Sequence, residues 1–370
     1  MAVALHEQDR PAYEALVAND DPTFAATGAM IFDNVRALSL VSLTFRAQGA
    51  PANPRLAGQE VLGAPALVQP VVVRWQLEAD PQPAEHTVWM TFRSHAGAWK
   101  LVATTDGPTD AAANRPEPQW WLERVTVSTR GPVTVVGSEN SAQLWADRGW
   151  AALAAVRQRL PGTLTERWSG RAVIEMPATR QSFERVLGAT PGTYAGIAAV
   201  AWPEGPDAAR APIRIIVNPA LAPQLSELAA AVLLTHELTH LATHSADSPA
   251  PLWLVEGLAD YVAYDAYPSA RAAAAAAVLT RIRRDGPPRE LPGNEQFTPS
   301  AGDLDLTYAE SWLAARFVAD TYSPARLQAL YQAMDRGDAF GAATASVLEV
   351  SEPEFVAAWQ RYLMGLARKG

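Results

Sequence analysis

The apolar and polar positions fall into two periodicities, and they change along the chain. Between residues 70 and 104 the pattern is short and close to two-fold. Val71-Val72-Val73-Arg74-Trp75-Gln76-Leu77 and Thr87-Val88-Trp89-Met90-Thr91-Phe92-Arg93 read as strands with one wetter face. Together with 38–46 and 99–104 they predict four strands, the last two joined by a turn at His95-Ala96-Gly97-Ala98. Helical spacing precedes them, over about 7–17 and 23–37. Residues 107–118 (GPTDAAANRPEP) have no periodicity and read as a linker. Beyond it, strands are expected at 121–128, 132–137, 172–176, 195–202 and 213–217, with a long helix at 140–160 and a short one at 182–186. From about residue 225 the pattern is mainly helical, with segments at 271–284, 308–322, 324–334, 340–348 and 352–367, and the loop at 286–305 is long enough to border an active site. The fold class is therefore α+β. The expected division is residues 1–106, a linker at 107–118, and a second domain over 119–370 whose C-terminal half is mainly helical.

Composition narrows the chemistry. The chain has 370 residues, 49% of them apolar, enough for a substantial core. Its net charge of −9 provides no basic face for nucleic acid, and RIRR at 281–284 is too short to supply one. Having no cysteine, it cannot form disulfides, thiolate metal sites or a cysteine nucleophile. No stretch reaches the ~18 apolar residues that a membrane span needs. The first residues, MAVALHE, lack the basic and apolar regions of an export signal.

The chemistry concentrates at His236-Glu237-Leu238-Thr239-His240. The preceding LSELAAAVLL reads as helix, so His236 and His240 project from one face and can grip one metal ion. Glu237 lies beside that face, placed to take a proton from the attacking water. A chain of this composition would contain HExxH by chance roughly once in two hundred times. Sixteen residues on, PLWLVEGLADY reads as a second helix. A catalytic zinc needs three protein ligands and an open position, and Glu256 on that helix supplies the third. Asp260, one turn later on the same face, can accept a hydrogen bond from the second nitrogen of a ligand histidine and fix its tautomer. His244 continues the four-residue spacing. It is read either as a helix-end residue favoured by the macrodipole or as part of the metal site. The HExxHxxGxxH pattern does not apply, because His244 comes eight residues after His236 and no glycine intervenes.

HELTH followed by PLWLVEGLADY resembles the gluzincin metallopeptidases, specifically their peptidase-MA-like group, over about residues 120–370. The resemblance implies a thermolysin-like domain carrying Zn2+ and hydrolysing a peptide or protein substrate, with Glu237 as general base and then general acid. It also implies an oxyanion donor downstream, for which Tyr308 in LTYAESW is the candidate; an ordinary core or capping tyrosine is the other reading. Such enzymes bind substrate as an added strand, and Gly196–Trp202 is the expected sheet edge, or else a plain interior strand. No motif that would capture a free amino terminus is present, which favours an endopeptidase. The chain is read either as cytoplasmic or as extracellular or cell-surface with its export segment absent, and the resemblance to secreted and surface-tethered bacterial relatives favours the second. Helices followed by an antiparallel meander ending in GAWKLV make residues 1–106 similar to the NTF2-like fold, expected to act as a packing or partner-binding module. The alternative function is a gluzincin-fold binding or maturation protein with an occluded or inactive zinc site.

Overall fold

The computed structural model describes residues 1–51, 66–95, 97–105, 115–298 and 302–369, and shows a mixed α+β protein. By the density of internal contacts the chain divides into two compact units. One comprises Met1–Asp147 and Arg171–Pro223, the other Arg148–Gly170 and Gln224–Gly370. Most of the expected linker at 107–118 lies outside the described residues.

The first unit opens with three helices, α1 (Ala2–His6), α2 (Arg10–Glu14) and α3 (Pro22–Leu38). A single helix over 7–17 is not found. Gln8 takes a positive φ of 57°, and Asp9 restarts the chain by accepting a hydrogen bond from the Ala12 backbone N–H. Strands β1 (Ser42–Ala47), β2 (Ala66–Gln76), β3 (Ala84–His95) and β4 (Ala98–Ala103) form a curled antiparallel meander in sequence order. His95 pairs with Ala98, as a tight reversal there requires; Ala96 lies outside the described residues.

The apolar face of this sheet shares one core with residues beyond 118. Trp75, Val73 and Leu101 are buried with Trp120, Trp121, Val125 and Val136. Asn34 of α3 adds polar stitching, donating to the carbonyls of Trp120 and Glu123 and accepting from the Val125 N–H at 3.0 Å. Residues 121–128 consequently differ from the expected strand. Gln119–Leu122 form a helical turn, α4, that inserts both tryptophans into the core. Strand β5 (Thr126–Arg130) comes next, then β6 (Val133–Gly137), the long helix α5 (Glu139–Arg159) and β7 (Ala172–Glu175). After helix α6 (Arg180–Val186) come β8 (Ala199–Pro203) and β9 (Ile213–Val217). The second sheet has the order β5-β6-β7-β9-β8. Thus β8 is an edge strand, shorter than the 195–202 expected because 191–196 are turns.

The described part of the second unit is helical. It contains α7 (Glu227–Thr243), α8 (Leu252–Ala266), α9 (Arg271–Asp285), α10 (Leu304–Thr321), α11 (Pro324–Asp335), α12 (Phe340–Ala343) and α13 (Glu352–Lys369). A π turn at Thr344–Leu348 finishes the segment expected as one helix over 340–348. Helix α8 is central, packing on α7, α10 and α11. No described helix is long and apolar enough to cross a membrane.

Candidate metal centre

Helix α7 starts where Ser226 caps it, accepting from the Ala229 N–H at 3.1 Å, with Glu227 in the first turn complementing the macrodipole. Its buried threonines need partners and find them locally. The hydroxyls of Thr235, Thr239 and Thr243 each donate to the carbonyl four residues back. The helix ends at Thr243 because His244 adopts the left-handed conformation, φ 51° and ψ 40°. His244 therefore leaves the row begun by His236 and His240. Its Nε2 donates to the Arg167 carbonyl at 3.0 Å. Burial and the nearby Arg167 charge hold its pKa below the ordinary histidine value.

Helix α8 brings the carboxylates. Its first N–H, at Leu252, is satisfied by Asn294 Oδ1 at 2.9 Å. Gly257, beside Glu256, lets α10 approach closely. A Cβ at that position would lie 2.5 Å from the Ser311 carbonyl oxygen. The close approach also sets Tyr308 on α10 near the histidines, its ring centroid 6.2 Å from that of His236. Phe297 packs edge-on against Tyr308 at 5.6 Å, so the 286–305 segment borders the site through Asn294 and Phe297. Residues 299–301 of that segment lie outside the described residues. Tyr308 sits a full turn inside its helix rather than at the start.

Three ligand-type atoms converge. His236 Nε2 and His240 Nε2 are 2.9 Å apart, and Glu256 Oε2 lies 3.2 Å from the first and 3.1 Å from the second. A tetrahedral ion with bonds of ~2.0–2.1 Å sets its ligand atoms about 3.3 Å apart, so this triangle is close to the size required. The hydrogen-bond logic agrees. Asp260 Oδ1 is 2.8 Å from His236 Nδ1, and an ionised carboxylate only accepts. In the neutral ring the proton is then on Nδ1, and the Nε2 lone pair faces His240 and Glu256. The Nδ1 of His240 meets Ser245 Oγ at 2.9 Å. With that nitrogen donating, two lone pairs and a carboxylate oxygen point at one place, an arrangement a cation satisfies.

Burial alone would depress the pKa of His236, but the Asp260 and Glu256 carboxylates reverse this and hold it well above the usual value. Glu256 is lowered, burial being outweighed by both histidines. Tyr308 is pushed up by burial and by the Glu256, Glu237 and Asp260 carboxylates, so its hydroxyl remains a donor. Glu237 is buried on α7, next to His236 in sequence. A cavity of about 440 Å3, lined by Asp260, Tyr264, Ala277, Asp305 and Tyr308 among others, adjoins the site.

His236, His240, Glu256 and Asp260 are thus brought together, with Tyr308 against the His236 ring. His244 is directed elsewhere. Ser245, Asn294 and Gly257 escaped the sequence reading. Only Gly257 carried a signal, as a lone glycine inside a helical pattern beside a candidate ligand. No family model matches the chain, and no curated protein matches its sequence.

Proposed function

We propose that this chain is a zinc-dependent peptidase of the gluzincin type, built on His236, His240 and Glu256 as ligands with Glu237 as general base. The observation that carries the reading is the convergence of two Nε2 atoms and one carboxylate oxygen within 3.2 Å, with His236 held from behind by Asp260. A zinc ion there supplies a water acidified toward pKa ~7 and a Lewis acid for the scissile carbonyl. The protein's own contributions are separate. Glu237 takes the water proton and returns it to the leaving amine, and the Tyr308 hydroxyl donates to the developing oxyanion.

The thermolysin-like domain over 119–370, the NTF2-like character of residues 1–106, endopeptidase rather than exopeptidase action, and an extracellular or cell-surface setting belong to the same proposal. What supports the second of these is the curled antiparallel meander preceded by helices.

The test uses the whole chain. Metal analysis should find one zinc per chain, lost in His240→Ala and retained in His244→Ala. Glu237→Gln keeps the side-chain volume, so it should keep zinc while hydrolysis of a peptide library falls at least ~10²-fold. Full zinc in His240→Ala, or near-normal turnover in Glu237→Gln, sinks the assignment.

A further inference from the structure

The ring of His236 is held by an acid, as the sequence suggests; what holds His240 comes from a different place. Ser245 lies five residues beyond it, and on a continuing helix would be rotated about 140° away, out of reach of the ring. The chain reaches back because His244 is left-handed, at φ 51° and ψ 40°. For a non-glycine residue that conformation is strained, so something must hold it.

Two ties do so, and both go to one residue. The His244 ring donates to the Arg167 carbonyl at 3.0 Å, and the Arg167 guanidinium donates to both carboxylate oxygens of Asp247, at 3.3 and 2.7 Å. An exposed ion pair of this kind adds little stability by itself, but a two-point grip fixes the path of 244–247. Ser245, inside that grip, presents Oγ to His240 Nδ1 at 2.9 Å.

From this geometry we infer that Ser245 is a positioning residue for His240: its hydroxyl accepts the Nδ1–H, which fixes the ring and leaves the Nε2 lone pair for the metal. The inference rests on the zinc-site reading above. It adds a polar support for the second histidine that comes from the left-handed turn ending α7, while Asp260 on α8 supports the first.

Zinc affinity of the full chain, measured by competition with a chromophoric chelator, tests it together with thermal melting of the metal-free protein. Ser245→Ala should weaken zinc binding roughly 10–100-fold, the usual loss when such a partner is removed. Its metal-free melting temperature should stay close to wild type, because the partly exposed hydroxyl does little for the fold without metal. Ser245→Thr, which keeps the hydroxyl, should restore affinity to within about threefold. The inference is overturned if Ser245→Ala binds zinc as tightly as wild type, if the threonine variant fails to restore affinity, or if the loss is matched by an equal loss of metal-free stability. Wild-type protein that takes up no zinc overturns the metal reading itself, and this inference with it; zinc bound normally in wild type and in Ser245→Ala overturns this inference alone.

Discussion

At His236 and His240 the nitrogen away from the triangle formed with Glu256 decides what the facing nitrogen can do. Asp260 lies behind His236, so Asp260→Ala should lower zinc affinity roughly 10–100-fold while Glu237 and the ligands stay in place. Chelator competition measures it, and unchanged affinity would show that the 2.8 Å contact does not tune the ligand. Tyr308 poses a different question, because a packing role and a catalytic role predict opposite results. Burial and three carboxylates keep its hydroxyl protonated, and its ring packs on Phe297. Tyr308→Phe keeps that packing and removes only the donor. For an oxyanion donor, kcat should drop on the order of 10²-fold with KM and melting temperature little changed. A fall of less than about threefold would take Tyr308 out of the site.

Between elements, the decisive contact is at Gly257. The hydrophobic pattern places α7 and α8, and the four-residue spacings within HELTH and EGLAD put His236 and His240, and Glu256 and Asp260, on facing sides of two successive helices. That much of the site was legible because its geometry is local to each helix. How close α10 can come was not legible, since it depends on a missing side chain meeting a backbone carbonyl far along the chain, that of Ser311 against Gly257. Gly257→Ala should force α8 and α10 apart, lowering stability by about 1–3 kcal/mol as overpacked cores do. The loss should persist in metal-free protein, where calorimetry can measure it, and turnover should fall as Tyr308 shifts relative to Glu256. A melting temperature equal to wild type would mean that the helices part at no cost.

The least legible feature concerns the molecule as a whole and lies in the first unit. Asp80, His86, Glu175, Glu204 and Arg214 come from five separate places in the sequence and form one buried cluster. In sequence His86 looks isolated; in the structure its Nε2 faces Glu204 Oε2 at 3.1 Å while its Nδ1 accepts from Trp75. Arg214 lies over the Trp75 ring, pairs with Asp80, and donates to Glu175 at 2.7 Å. Pattern reading finds spacings within an element, and no spacing joins residues that meet only across two sheets.

That cluster and the proposed metal centre should give the chain two opposed responses to pH. Three carboxylates share one guanidinium and one imidazole out of water, and Glu175 gives way. Burial and the Glu204 charge, with Asp80 adding to them, push its pKa up to about 8 against the pull of Arg214. The unfolded chain releases that proton near 4.5, the folded chain only near 8. Between those values the folded state holds the Glu175 proton, so the stability that Glu175 contributes is fully present below the window and is lost as pH rises through it, by up to about 1.4 kcal/mol per pH unit. Glu175→Gln keeps an acceptor for Arg214 without a titrating proton, and should flatten this slope in metal-free protein. Zinc bound at the proposed centre should act in the opposite direction, since histidine and carboxylate ligands must be deprotonated and affinity then rises with pH. The increment in melting temperature on adding zinc should therefore grow from about pH 5 to pH 7, equally in wild type and in Glu175→Gln. Calorimetry across about pH 5–8, with and without zinc, checks both arms. If the metal-free slopes of wild type and Glu175→Gln coincide, Glu175 is not the group that holds the proton; if the zinc increment is flat with pH, the histidines are not the ligands.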